Sequence, residues 1–137
     1  MPAHILVVEA GHDVRVLISD VLTADGHEVN CVANGAEALL LLEQRPSFDL
    51  ILSDLTMPAI EGAQLYWEIG SRWPHLASRL ICVTDRGSAG VIDHPTLRAA
   101  SVPFLVKPFL PHLLRDLVGR RLAELSAPPW PGPFKPP

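Results

Sequence analysis

The sequence predicts an α/β fold built on a parallel sheet, and three observations carry that expectation. Apolar runs of strand length alternate with segments of helical periodicity along most of the 137 residues. The central run, "DLILS", is close to fully apolar, as expected of a strand covered on both faces. The polar residues with chemical reach stand just after these runs, where open parallel sheets bind ligands.

The first strand is "HILVV". A helix follows, with Val14, Leu17, Ile18, Val21 and Leu22 on one face, Asp13 before it as the expected N-cap, and Gly26 ending it. "EVNCVA" is the second strand. Asn34 is expected to cap the helix "GAEALLLLEQR", which Pro46 closes. "DLILS" comes third. "LYWEIGSRW" then places Leu65, Tyr66, Ile69 and Trp73 at helical spacing. "RLICVT" is the fourth strand and "FLV" a short fifth.

Between those two the pattern weakens, because glycines and two prolines interrupt it. A shortened fourth helix is expected from about Pro95 to Ala100, with proline in its first turn. The last helix is the clearest, with a stripe of Leu110, Leu113, Leu114, Leu117, Val118, Leu122 and Leu125. The tail "APPWPGPFKPP" reads as polyproline II or disorder. Its PxxP-like spacings with Trp130 and Phe134 suit an aromatic groove, although such tails are more often solvated spacers.

Composition excludes several classes. Eleven Lys and Arg against fifteen Asp and Glu give a net charge of −4 without a basic cluster, which disfavours nucleic acid as a partner. No charged or long apolar leader precedes the first strand, so no signal peptide is expected. No apolar run approaches the ~18 residues of a membrane helix. A soluble, cytoplasmic protein is the expectation. Cys31 and Cys82 lie in apolar runs without CxxC spacing, and core filler is the expectation for both.

At the carboxyl edge of the sheet the sequence delivers Glu9 and Ala10 after the first strand. Asp54 ends the third strand, Thr84 and Asp85 the fourth, and Lys107 the fifth. Alone, each has an ordinary explanation as a turn residue, a solvated charge or a strand hydroxyl. Together an acid, a hydroxyl and a cation on one rim can handle a phosphoryl group. The carboxylate attacks phosphorus, the hydroxyl donates to a phosphoryl oxygen, the ammonium neutralises charge, and a divalent metal can bridge carboxylate and phosphate.

"SDLTMPAIEG", with Met-Pro three and four residues after Asp54 and Gly62 eight after it, and "LVKPF" around Lys107 together resemble the receiver domains of two-component response regulators. The resemblance runs from residue 3 to 125. It implies a flavodoxin-like, doubly wound (βα)5 fold with strand order 2-1-3-4-5, and leaves the Pro-rich tail over 126–137 outside the domain. It further implies that Asp54 is the phosphoacceptor, taking a phosphoryl group from a phosphohistidine on a histidine kinase or phosphotransfer protein. Lys107 and Thr84 would bind that group, and Thr84 and Phe104 would form the switch. Glu9, Asp54 and the backbone carbonyl of Thr56 would hold Mg²⁺. A cis bond is implied at Lys107–Pro108. A downstream protein would dock on the face of the fourth helix, fifth strand and fifth helix.

The departure is at the first strand. The family usually has two adjacent acids there, and Ala10 stands where the direct metal ligand is expected. Mg²⁺ keeps several waters and manages with one or two carboxylates, so weak binding is expected rather than none. Asp85 also departs, standing where a small residue is usual. It is a candidate substitute acid, or a charge that opposes phosphate, or an outward-facing cap. His12 is expected to be a solvated loop residue.

Three functions follow from these readings. The first is a stand-alone receiver, a phosphorylation-controlled switch without enzymatic activity of its own. The second is a pseudo-receiver that binds protein without phosphate, for which Ala10 and Asp85 argue. The third, an α/β enzyme of another class, is weakest, since no dinucleotide fingerprint, nucleophile elbow or second acid–base pair is visible.

Overall fold

The structure is a computed structural model that describes residues 2–54, 59–85 and 102–126; for 59–63 and 85 it describes the backbone alone. Five parallel strands are β1 His4–Val8, β2 Glu28–Val32, β3 Leu50–Asp54, β4 Leu80–Asp85 and β5 Phe104–Lys107. They form one sheet in the order β2-β1-β3-β4-β5, as the sequence predicted. The helices are α1 His12–Ala24, α2 Gly35–Gln44, α3 Ala59–Arg72 and a C-terminal helix Pro111–Ser126. The expected fourth helix over 95–100 and the tail lie outside the described residues.

Strand alternation sorts the core into two layers. Leu6, Val8, Ile51, Leu80 and Cys82 face α2 and α3, meeting Ala38, Leu42, Leu65 and Ile69. Ile5, Val7, Leu52, Ile81 and Val83 face the other way, onto Ile18 and Leu22 of α1 and Leu114 and Val118 of the C-terminal helix. β3 is buried along its whole length, which is why its sequence shows no polar alternation.

Several local expectations hold. Asn34 caps α2, its Oδ1 accepting the Glu37 N–H at 2.9 Å, while Glu37 Oε2 accepts the Ala33 N–H at 2.7 Å. Gly26 follows α1 at φ 93°, a conformation that favours glycine. Lys107–Pro108 is cis.

Others need correction. Asp13 is not the N-cap of α1. The helix starts two residues earlier, with Gly11 at the cap and Asp13 in the first turn, where the macrodipole favours an acid. His12 is therefore an exposed first-turn residue and not part of a loop. Cys82 is buried but Cys31 is exposed, because β2 is the edge of the sheet and one of its faces has less to pack against. Leu110 and Leu113 leave the apolar stripe. Leu110 precedes the helix, Leu113 is turned about 100° from buried Leu114, and both are exposed. A short 3₁₀ helix, Pro74–Arg79, stands between α3 and β4 where no element was expected; Pro74 in its first turn was its signal.

What the fold does for function follows from the strand order. From β1 the chain moves outward to β2 and then returns to β3 on the other side. The sheet therefore reverses direction between β1 and β3. A crevice opens at the carboxyl ends of these two strands. Glu9 and Asp54 are delivered there.

Candidate functional site

Glu9 immediately follows β1 and is only 2% exposed. Its backbone N–H donates to the Val32 carbonyl at 3.0 Å, its own carbonyl accepts from Arg15 Nη1 at 2.9 Å, and its Oε2 accepts the Gly11 N–H at 2.9 Å. The residue is thus fixed at both backbone and side chain. Asp54 ends β3, also 2% exposed. Two strands away, at the end of β5, Lys107 extends back across the rim. Its Nζ donates to Asp54 Oδ2 at 3.2 Å and lies 2.7 Å from Glu9 Oε1. That second contact is close enough for an ion pair but not aligned as a hydrogen bond.

Two buried carboxylates share one ammonium, and their protonation follows from that count. Burial first, and then the neighbouring Asp54 carboxyl, raise the pKa of Glu9 above the ordinary range, against the opposing pull of Lys107 and the Gly11 N–H. For Lys107, burial works to lower the pKa. The Glu9 and Asp54 carboxylates outweigh it and hold the ammonium above its usual value. The site retains protons, as an anionic pocket out of water should.

Thr84 lies on β4 with no exposed surface, and its Oγ1 has no hydrogen-bond partner among the described residues. It is on the same sheet face as Phe104, whose ring packs half-buried against the α2–α3 side of the core. A buried hydroxyl without a partner costs about 1–3 kcal/mol. Such a group is worth keeping where a ligand oxygen arrives. Thr84→Val is therefore expected to leave stability unchanged or raise it by about 1 kcal/mol in urea denaturation. A clear loss would show that the hydroxyl serves the resting structure.

The structure brings together Glu9, Asp54 and Lys107, with Thr84 at the end of the next strand. Thr56 lies outside the described residues. Asp85 is described only as the last residue of β4, in register with Lys107. Sequence reasoning did not single out Gly11 and Arg15, which position Glu9. Arg15 lies four residues past Gly11, outside the apolar face of α1 that the periodicity picks out.

Comparison with known proteins follows this geometry. Residues 5–119 match the family model of the response regulator receiver domain. The chain belongs to that family. Receiver domains are signalling modules of two-component systems. The chain is 37% identical over 136 residues to the response regulator protein FleR of Pseudomonas aeruginosa, covering 97% of this chain but 28% of FleR. It is 32% identical over 124 residues to the chemotaxis protein CheY of Bacillus subtilis, covering 89% of this chain and 99% of CheY. Among solved structures, the CheY-like receiver domain protein of Methanospirillum hungatei superposes with a TM-score of 0.78 at 25% identity, covering 90% of this chain and 96% of the other. NtrX of Brucella abortus gives 0.78 at 27%, covering 90% of this chain and 27% of NtrX. The chain thus matches CheY and the Methanospirillum protein nearly end to end, and spans little more than a quarter of FleR and NtrX.

The donor set fits a divalent cation in part. Glu9 and Asp54 supply two carboxylates at the crevice, within the number that Mg²⁺ takes from protein. No group of three or more His, Cys, Asp or Glu converges as a metal site among the described residues, and the Ala10 side chain adds no oxygen.

Proposed function

We propose that this receiver accepts a phosphoryl group from a phosphohistidine onto Asp54 and thereby switches a protein-binding face. The observation that carries the reading is the Asp54 carboxylate, buried at the sheet's reversal and hydrogen-bonded to Lys107 Nζ at 3.2 Å. One Asp54 oxygen attacks phosphorus, the P–N bond to the donor imidazole breaks, and the departing nitrogen keeps the electron pair and takes a proton. The product is an acyl phosphate. Lys107 neutralises charge on the transferred oxygens, and the Thr84 hydroxyl, without a partner among the described residues, donates to one of them.

Glu9, Asp54 and the Thr56 carbonyl would hold Mg²⁺, which when bound offsets charge between carboxylate and phosphoryl oxygens. Asp85 is the remaining acid of the rim and the candidate to substitute for the acid missing at position 10. The donor would be a histidine kinase or phosphotransfer protein in the cytoplasm. No described helix is long and apolar enough to cross a membrane. The responding face would include β5, where Val106 is exposed beside Thr84's strand, together with Phe104 and the C-terminal helix.

A second reading, a phosphate-independent binding module, is favoured by one feature. The cation between the two carboxylates is the protein's own Lys107, and the second acid is an alanine. Intact mass after incubation with acetyl phosphate and Mg²⁺ separates the two. Gain of one phosphoryl group by the parent and none by Asp54→Ala supports the switch. No gain by the parent, even at high Mg²⁺, supports the binding module.

A further inference from the structure

The two most exposed large hydrophobic side chains among the described residues are Trp67, at 63%, and Leu40, at 61%. They stand on α3 and α2, which cover the sheet face opposite α1 and the C-terminal helix. Between α2 and α3 runs a groove of about 220 Å³, lined by Gly35, Ala36, Leu39, Gln64, Leu65 and Glu68. Leu40 is one helical turn beyond Ala36 and Trp67 one turn beyond Gln64, so each stands beside a wall of the groove. At the far end Arg72 Nη2 meets Glu43 Oε1 at 2.6 Å and closes the groove across both helices. The core below is already filled by Ala38, Leu42, Leu65 and Ile69, so Leu40 and Trp67 do not serve it.

We propose that this groove is a docking site for an amphipathic helix of a partner protein, apolar along one face and basic at its rim. Charge selects that occupant. The described side chains of α2 and α3 carry Glu37, Glu43 and Glu68 against Arg72 alone. Arg72 is taken up by Glu43 and by the face of the Trp73 ring, 4.5 Å away. Glu68 on the groove wall and exposed Glu37, a turn before Leu40, remain for a partner to meet. Their hydrogen bonds come from neutral donors, the Ala33 N–H to Glu37 and the Gln64 amide to Glu68, and leave both charges in place. A second copy of this chain would set the same acids against themselves, and like charges across an interface cost affinity. Nucleic acid and anionic lipid are disfavoured on the same ground.

The shape agrees. α2 is ten residues long, about 15 Å at ~1.5 Å per residue, which matches three turns of a helix laid alongside it. The small residues Gly35 and Ala36 let an apolar side chain of the partner enter between the walls. Leu40 and Trp67 then meet its neighbours a turn away, as anchors at i, i+3 and i+4 require. Tryptophan is among the residue types that most often carry binding energy at such surfaces. The groove shares no residue with the crevice of Glu9, Asp54 and Lys107, so the proposal stands or falls apart from phosphoryl transfer.

Three synthetic peptides of equal length, added to the full chain, test it. The first is an amphipathic Leu/Lys helix, the second has the same apolar pattern with Glu in place of Lys, and the third is the Leu/Lys peptide scrambled to remove its apolar face. Amide signals of Ala36, Leu39, Leu40, Gln64, Trp67 and Glu68 are expected to shift with the first peptide and not with the other two. Trp67→Ala with Leu40→Ala, both exposed and outside the core, is expected to weaken binding at least tenfold. Glu37→Gln with Glu68→Gln is expected to weaken it about twofold to thirtyfold and to reduce its salt dependence. No groove shift with the basic peptide, or shifts confined to another surface such as Leu110 and Leu113, would overturn the proposal. Equal groove shifts with the acidic or the scrambled peptide would overturn it as well. Groove shifts that grow with protein concentration before any peptide is added would assign the groove to a second copy and sink the partner-helix reading.

Discussion

Replacing Lys107 by methionine is expected to destabilise the protein by about 3 kcal/mol at pH 7, the low end of what breaking a buried ion pair costs. The low end applies because 18% of the Lys107 side chain remains exposed, while the Glu9 and Asp54 side chains are 2–3% exposed. The loss comes less from the contacts removed than from what is left: two carboxylates out of water with no cation between them. That distinction has a pH signature. Burial and Asp54 already hold the folded pKa of Glu9 above its unfolded value. A raised carboxyl favours folding while protonated, and that advantage is lost as pH rises through the folded pKa. Without Lys107 the shift grows, so the penalty in the variant accumulates from the unfolded carboxyl range upward and is greatest at neutral pH. Urea denaturation of parent and variant at pH 7 and near pH 4.5 should show the gap narrowing in acid. An equal gap at both would mean that Lys107 contributes through packing of its stem. Adding Glu9→Gln to the variant should recover part of the loss at pH 7, since one unpaired charge is then removed.

The residues of this rim show what the sequence could and could not disclose. Asp54, Thr84 and Lys107 were legible because each ends an apolar run, and strand ends in a parallel sheet share one edge. The mutual arrangement was not legible. Nothing in the spacing says that Lys107 crosses from β5 past β4 to lie nearer Glu9 than Asp54. Its reach is set by strand order and by the length of its side chain. Gly11 and Arg15 were missed for a similar reason. One acts through a backbone N–H and the other on a backbone carbonyl, and neither role leaves a side-chain pattern. The fold itself was read well, because two-sided burial writes continuous apolar strands and one-sided burial writes helical stripes. The errors fell at margins. Asp13 was taken for a cap when the chain used Gly11, and Cys31 was placed inside because edge position is a property of the whole sheet.

Ala10→Asp should raise the affinity of the crevice for a divalent cation, and the gain should be visible without any phosphoryl transfer. A carboxylate ~4 Å from a cation gains about 4 kcal/mol per unit charge at an effective dielectric of ~20. Ala10 is exposed, so solvent screens a new acid there and water already fills part of the role. A net gain of about 1.4–2.8 kcal/mol remains, or roughly tenfold to a hundredfold in Mg²⁺ affinity by calorimetric titration. The metal-free protein should change in the opposite sense. A third acid then faces a single ammonium, so Ala10→Asp should be less stable than the parent without Mg²⁺ and regain stability as Mg²⁺ is added, by mass action on the folded state. The crossing of the two stability curves is the diagnostic, because a merely disruptive substitution lowers both. If the parent already binds Mg²⁺ as tightly as the variant, Ala10 is no defect and another oxygen completes the site. Asp85→Ala is then the deciding variant: loss of affinity would identify Asp85 as the substitute acid, and unchanged affinity would assign the place to water.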